Sequence, residues 1–476
     1  MKPNAGAAGH PAPEGPRGPR EARADQKHGV WAPERRRLTA GLVLTVTLVA
    51  FESLAVSTVM PEVSDDLGGL GLYGWVFSGF FLGTLVGAVM AGRSADRLGT
   101  APPYVLGLSL FAIGVAVAGA APSMAVLVAA RVVQGLGAGA IPAIAYTSVG
   151  RAYPTALRPR VFAVFSSAWV IPGLVGPAAA SGIAHALSWR AVFWAIVPLI
   201  VLAGAMTLPA LRQADSGTQP AGVGDDRTRV QRAVVLAVGA GLVLAGSTSS
   251  APLVAVTLVA IGVPVAAWAF VRLVPPGTLR LAPGLPAAVA IRGLLTWSFF
   301  GTDAFIPLAV TDVRGQETWV AGLALTGATL GWTAAAWVQQ HRVHIDGPRR
   351  LVAVGLLLVA AGLAGAELLV NVVPVPLGIV LWSVAGFGIG LAYAPISVTV
   401  LGTAPPGGEG TAAASMQLCD VLGVALGTGL TGALVDLGDG RGWEVSSSLT
   451  IAFAVTTSVA LLGALAARRL PQYLPR

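Results

Sequence analysis

Runs of about 20 apolar residues, separated by short polar turns, recur from residue 38 to residue 468. That is the length a helix needs to cross a bilayer. Only 11% of the 476 residues are charged while 55% are hydrophobic, whereas a soluble domain carries roughly 25% charge. Too few polar groups remain to coat a water-facing surface, so the solvent is lipid. In hydrocarbon every backbone N–H must be paired within its own segment, which makes each span a helix. The alternating pattern of outer-membrane barrels is absent. The expected fold is an all-α polytopic membrane protein.

The runs read as about fourteen spans. The first six lie near 38–60, 73–93, 103–121, 123–147, 160–184 and 190–211, and two more near 231–248 and 252–273. The last six lie near 286–310, 318–340, 350–371, 376–401, 411–436 and 446–468. Residues 1–37 read as a disordered basic tail, 38–212 as one six-helix bundle, and 213–285 as a linker carrying two extra helices. Residues 286–468 read as a second six-helix bundle and 469–476 as a short tail.

The net charge of +8 reports topology here rather than nucleic acid. Arg35, Arg36 and Arg37 abut the first span, and further arginines recur at Arg93, Arg97, Arg151, Arg158, Arg160, Arg212, Arg349, Arg350, Arg468 and Arg469. By the positive-inside rule these loops and both termini face the cytoplasm of a bacterial inner membrane. Lysine occurs only at Lys2 and Lys27, so no lysine is placed for Schiff-base chemistry within the membrane. Cys419, the single cysteine, cannot form an internal disulfide.

An internal repeat is visible. Gly135, Gly137 and Gly139 recur as Gly386, Gly388 and Gly390, an offset of 386 − 135 = 251. Glu52 and Asp303 share it, since 303 − 52 = 251. Two related halves can rock about a site between them and expose it to either side, which is a transporter feature.

Glu52 is the most informative residue. It lies eight positions before Met60, the expected outer end of its span, or about 12 Å deep at 1.5 Å per residue. Arg131 lies eight positions after Ser123, at matching depth, so the two can pair. An acid there is expensive unless it faces a partner or a cavity. It reads as a proton carrier or as a static pair that fixes helix packing. Asp303 follows Trp297, Phe299 and Phe300. This setting suits a lipophilic cation through charge and cation–π contact, or a hydrogen bond to Thr302. Asp420, beside Gln417, is a further cavity candidate, Asp303 and Asp420 join Glu52 and Arg131 as candidate proton-coupling residues, and Arg292 lies where it can snorkel. Gly173, Gly176, Pro177 and Gly182 can make a close-packed hinge or serve ordinary small-residue packing.

Other chemistry finds no motif. The five histidines form no HExxH or Cys/His cluster, no GxxxxGK[ST] loop is present, and no catalytic or metal-binding set emerges. The chain reads as a non-enzyme without cofactor, whose partners are protons, a small molecule and the bilayer, and as a monomer that binds no nucleic acid.

Four segments resemble the major facilitator superfamily, and within it the fourteen-helix drug:proton antiporters. They are Phe51 to Pro61; Gly92-Arg93-Ser94-Ala95-Asp96-Arg97-Leu98-Gly99; Arg131-Val132-Val133-Gln134-Gly135-Leu136-Gly137; and Gly173 to Gly182. Ser188-Trp189-Arg190 also resembles the family's lead into helix six. The resemblance implies two six-helix bundles plus two central helices. It implies a cytoplasmic gate at Gly92, Asp96, Arg97 and Gly99, proton relay at Arg131 and an antiporter hinge at Gly176 and Pro177. The expected function is proton-driven multidrug efflux. Alternatives are export of one metabolite or lipid, symport, or a sensor that moves no solute.

Overall fold

The computed structural model describes residues 29–33, 35–153, 157, 161, 164, 168, 170–215, 227–405 and 408–473. Thirteen long helices form among these residues, and no strand. They are α1 Arg36–Leu67, α2 Tyr73–Leu98, α3 Ala101–Gly119, α4 Met124–Ala152, α5 Val170–Ala186 and α6 Trp189–Asp215. Then come α7 Arg227–Ser247, α8 Pro252–Phe270, α9 Leu285–Asp303, α10 Thr318–Asn371, α11 Val375–Gly402, α12 Glu409–Asp439 and α13 Val445–Ala466.

Twelve helical stretches among the described residues are long and apolar enough to cross a membrane. Two expected spans are not among the twelve. One is α5, whose expected first turns at 160–169 lie largely outside the described residues. The other is the first limb of α10, which meets its second limb at Gly347 (φ 74°) followed by Pro348. The tail at 1–28 and linker residues 216–226 also lie outside the described set. The face carrying residues 67–73 is the one that the charge pattern assigns to the outside, and it is termed the outer face.

Local chemistry sets the helix ends. The Ser123 hydroxyl accepts from Val126 N at 3.5 Å and starts α4. Proline in the first turn, where its missing N–H costs nothing, starts α3, α8, α9 and α11. Two ends differ from expectation. α1 does not stop at Met60 but continues through Pro61 to Leu67. Its last turn is held by Asp66, which accepts from Trp189 Nε1 at 3.0 Å and Arg190 at 2.6 Å. The ninth span ends as regular helix at Asp303, giving way to a short turn at Ile306–Leu308 and a wide π turn at Ala309–Val313.

The repeat is physical. A side chain on Gly135 would strike the Phe80 carbonyl of α2, and one on Gly386 the Ala328 carbonyl of α10. Gly137 and Gly388 likewise face the Gly107 and Gly355 carbonyls. The glycines are offset by 251, whereas their partners are offset by 328 − 80 = 248 and 355 − 107 = 248. Two bundles therefore share one packing register, with three more residues between the third and fourth helices of the later one. Small residues permit this backbone-to-backbone approach.

The halves meet along a seam. Ser78 Oγ of α2 donates to the Ala425 carbonyl of α12 at 2.9 Å and lies 3.1 Å from Thr428 Oγ1. Gly74 packs on Gly432, and Tyr73 lies 5.0 Å from the Phe305 ring. Thr318 Oγ1 donates to Glu62 Oε1 at 2.7 Å. In α5, Gly173 meets Thr329 and Pro177 meets Gly322. Among the described residues these joints run from the outer ends to about mid-depth, so the seam is closed on the outer face. α7 lies across it, with Trp75 Nε1 donating to Thr248 Oγ1 at 3.3 Å and Leu244 packed on Gly429. α8 packs on α7 through Gly239, Gly246 and Gly262. Its other face, including Leu253 at 80% exposure, is left for lipid.

Candidate functional site: two buried acid–arginine pairs

Glu52 and Arg131 pair as their depths suggest. α1 and α4 bring them together, 0% and 1% exposed. One Arg131 terminal nitrogen donates to Glu52 Oε1 and to Gln134 Oε1, the latter at 2.8 Å. Arg131 Nε donates to the Val76 carbonyl at 3.1 Å, and the guanidinium lies 4.2 Å from the Phe80 ring centroid. Gln134 sits one turn after Arg131 and therefore shares its face. Glu52 Oε2 is buried without a hydrogen-bond partner among the described residues. A buried carboxylate with one oxygen bound and one free has a place for a proton.

A second pair was not visible in the sequence. Arg292 does not snorkel but is 2% exposed. Its Nε donates to Asp420 Oδ1 at 2.6 Å, and one terminal nitrogen donates to the Tyr393 carbonyl at 2.8 Å and to Ser397 Oγ at 3.4 Å. The guanidinium lies over the Tyr393 ring, and the Tyr393 hydroxyl donates to Asp420 Oδ2 at 3.0 Å. Snorkelling was expected from the position of Arg292 along α9 alone. The pairing arises because α9 and α12 pack closely through Gly293 and Gly423, putting Asp420 within reach.

Asp303 is the last residue of α9 and half-buried. Thr302 turns away to Thr456 Oγ1 at 2.8 Å, and the Asp303 carboxylate has no hydrogen-bond or ion-pair partner among the described residues. One turn earlier Phe299 stacks on Trp382, with centroids 5.1 Å apart and planes 17° apart. Phe299 and Phe300 both meet Trp332, which meets Tyr393 at 5.2 Å. An aromatic wall thus runs from below Asp303 to the Arg292–Asp420 pair. Trp297 instead lays its main chain against Gly427, and Gln417 is exposed one turn before Asp420.

Three of the four hinge residues lie at helix contacts. Gly173 and Pro177 touch the first limb of α10, and Gly176 faces Phe51, next to Glu52. Gly182 differs, being exposed with open space around it.

In the gate motif, Gly92 is half-buried, Arg97 is exposed, and the Asp96 side chain lies outside the described residues. No sequence motif pointed to Asp215. It reaches from the end of α6 to cap α3, accepting from Thr100 N at 2.9 and 2.8 Å, Thr100 Oγ1 at 3.0 Å and Ala101 N at 2.9 Å. Gly99 (φ 82°) gives it room. Asp215→Ala is expected to lower stability by about 1–2 kcal/mol, the usual cost of a lost cap, read as an earlier thermal unfolding midpoint in detergent.

The chain matches the family model described as Major Facilitator Superfamily over residues 42–343. It is 29% identical over 468 residues to a protein of Mycobacterium tuberculosis named "Probable multidrug-efflux transporter", covering 93% of this chain and 97% of that one. It is 25% identical to Multidrug resistance protein 3 of Bacillus subtilis (83% and 78% covered) and to a triacylglyceride transporter of Mycolicibacterium smegmatis (82% and 74% covered). Among solved structures, a D-xylose-proton symporter shares the fold with a TM-score of 0.66 at 14% identity, covering 92% of this chain and 98% of that one. A human organic anion transporter shares it at 0.61 and 17%, covering 91% and 99%.

Proposed function

This chain belongs to the major facilitator superfamily, and on that premise we propose that it exports small amphipathic, lipophilic cations in exchange for protons. The observation that carries the reading is the Glu52–Arg131 pair: fully buried, bridging α1 and α4, with one carboxylate oxygen unpartnered among the described residues. Glu52 is the proton carrier. While it is ionised, Arg131 balances its charge. When it takes a proton, Arg131 keeps the Val76 carbonyl, the Gln134 side chain and the Phe80 ring, so the change of charge is accommodated without stranding the arginine. Gly176 on Phe51 links this centre to α5 and so to the seam.

The substrate class rests on the half-buried rings of Phe300 and Trp332, backed by the buried Phe299–Trp382 stack, with Phe299 and Phe300 one turn before Asp303 on the same helix. Such faces attract cations. Carboxylates Glu62, Asp65, Asp312 and Glu317 line a cavity at the outer mouth of the seam, which favours cations leaving and protons arriving there. Multidrug efflux also agrees with the names of the mycobacterial and Bacillus relatives. Rocking of the two bundles opens the seam to either face in turn, with both termini on the cytoplasmic side.

The test is transport of ethidium by purified protein in proteoliposomes under an imposed pH gradient. Wild type is expected to accumulate the dye against its concentration gradient. Glu52→Gln, which keeps shape but cannot ionise, is expected to lose gradient-driven accumulation entirely. Accumulation that survives in the variant would remove Glu52 as the carrier. Absence of dye movement by folded wild type, together with movement of triacylglycerol, would replace this reading by lipid export.

A further inference from the structure

We infer that Arg292 and Asp420 form a second proton-coupling station, separate from Glu52–Arg131, so that each cycle carries two protons. The inference rests on the antiport reading and extends it to the stoichiometry.

The two centres are built alike. Each places a carboxylate on one helix and an arginine on another. In each, the guanidinium also donates to a backbone carbonyl, Val76 or Tyr393, and to a neutral side chain, Gln134 or Ser397. In each it lies on an aromatic ring, Phe80 or Tyr393. Those neutral partners matter, because an arginine left unpaired in a low-dielectric interior is costly. Here either carboxylate can be protonated while its arginine remains held. Among the described residues Asp420 Oδ2 accepts from the Tyr393 hydroxyl alone, so a proton there displaces one hydrogen bond.

Among the described residues no other charged side chain contacts either acid. Glu52 meets Arg131 from α4, with the Gln134 side chain, the α2 carbonyl and the Phe80 ring also on the arginine. Asp420 meets Arg292 from α9 and Tyr393 from α11, with the neutral Cys419 thiol beside it on α12. The two sets share no helix and no side chain, so one can be protonated without disturbing the other.

Nor is the second centre a remnant of the duplication. The repeat position of Arg131 is Trp382 (131 + 251), and that of Arg292 is Gly41 (292 − 251). The earlier pair joins an acid on the first helix of its bundle to an arginine on the fourth, whereas the later pair joins an arginine on the first to an acid on the fifth. Depth differs as well. Arg292 is seven residues from the start of α9 on the inner face, whereas Arg131 is seven residues from the start of α4 on the outer face. At 1.5 Å per residue each lies about 10 Å from its own end. One station stands nearer each side of the membrane. In each turnover an O–H bond forms on both carboxylates with protons from outside. Both bonds break on the inner side, the two protons passing to the cytoplasm as one substrate cation leaves.

Charge movement decides it. One proton exchanged for one ethidium moves no net charge, whereas two protons move one. With no pH gradient, a lumen-positive potential set by potassium and valinomycin is therefore expected to drive ethidium into wild-type proteoliposomes. The expected accumulation is about tenfold for each ~59 mV. Passive leakage of the cation runs the opposite way, as protein-free vesicles will show. The paired variant Arg292→Gln with Asp420→Asn leaves no buried charge unmatched. It is expected to lose the potential-driven component and to fall from about hundredfold to about tenfold accumulation per pH unit, the ratio for one proton in place of two. Wild-type accumulation that follows the pH gradient but ignores the potential would overturn two-proton coupling and leave antiport standing. Potential-driven accumulation that persists in the paired variant would overturn the assignment to Arg292 and Asp420. If the wild type shows no pH-driven accumulation, antiport itself fails. The wild-type measurement holds whether or not the variant folds.

Discussion

Arg131→Leu is expected to destabilise the protein by about 3–5 kcal/mol, the range found when one member of a buried ion pair is removed. It should therefore unfold well before wild type in a detergent thermal scan. Glu52 is wholly buried and its chief partner is Arg131. The variant strands that carboxylate and also leaves the Val76 carbonyl and Gln134 Oε1 without their donor. Adding Glu52→Gln should recover most of the loss, because the double variant buries no charge. That recovery separates an ion-pair effect from simple loss of packing volume, which the second substitution would not repair. Transport should be absent from both. A double variant no more stable than Arg131→Leu would mean that packing on Phe80, rather than charge, is what Arg131 contributes.

Gly74→Leu is expected to abolish transport while leaving each bundle folded. A side chain at Gly74 points at the Gly432 Cα and the Thr428 carbonyl of α12. Both are backbone, so neither can rotate aside. Overpacking of this kind costs typically 1–3 kcal/mol, and unyielding neighbours put it at the upper end. The rocking proposed above separates α2 from α12 when the outer side opens, so the cost is expected to fall on the outer-closed state alone. About 3 kcal/mol there shifts the balance between states by on the order of a hundredfold. The readout is a cysteine at Ser78. It is expected to be protected from a membrane-impermeant maleimide in the parent, where position 78 is buried against α12, and to be labelled in the Gly74→Leu background. Gly410→Leu on the same α12, where the added side chain meets open space, is the control expected to keep transport and protection. Protection of Ser78→Cys in both backgrounds would show that the seam does not open there.

Much of this site could be read before any helix was packed. Glu52 and Arg131 stand at similar depth, and the repeat was legible because Gly135 and Gly137 recur as Gly386 and Gly388. Depth is a one-dimensional property that the apolar pattern sets directly, which is why the first pair was accessible. Arg292 and Asp420 were each noted, but not together. Arg292 lies close enough to the start of its span to snorkel, and only the close approach of α9 to α12 makes burial the better outcome. Asp215 was invisible for a related reason. Its role depends on the end of α6 lying beside the start of α3, a contact across more than a hundred residues. The reach of α1 past Pro61 was missed because proline commonly ends a helix, whereas here Asp66 is held by Trp189 and Arg190.

The amino-acid sequence by itself determined that this chain lives in a membrane, that its backbone is helical there, and that its two halves are related. Each follows from local facts: apolar length, the need to pair every N–H in hydrocarbon, and recurring glycines. Which helices touch is a different kind of fact, since neighbours in a bundle are chosen by the fit of whole surfaces around small residues. Only the tertiary structure decided that Asp420 is matched by Arg292, that Asp303 has no cationic partner among the described residues, and that the seam is closed on its outer side. A buried charge takes its meaning from the groups across the interface, and no single helix carries both sides of one.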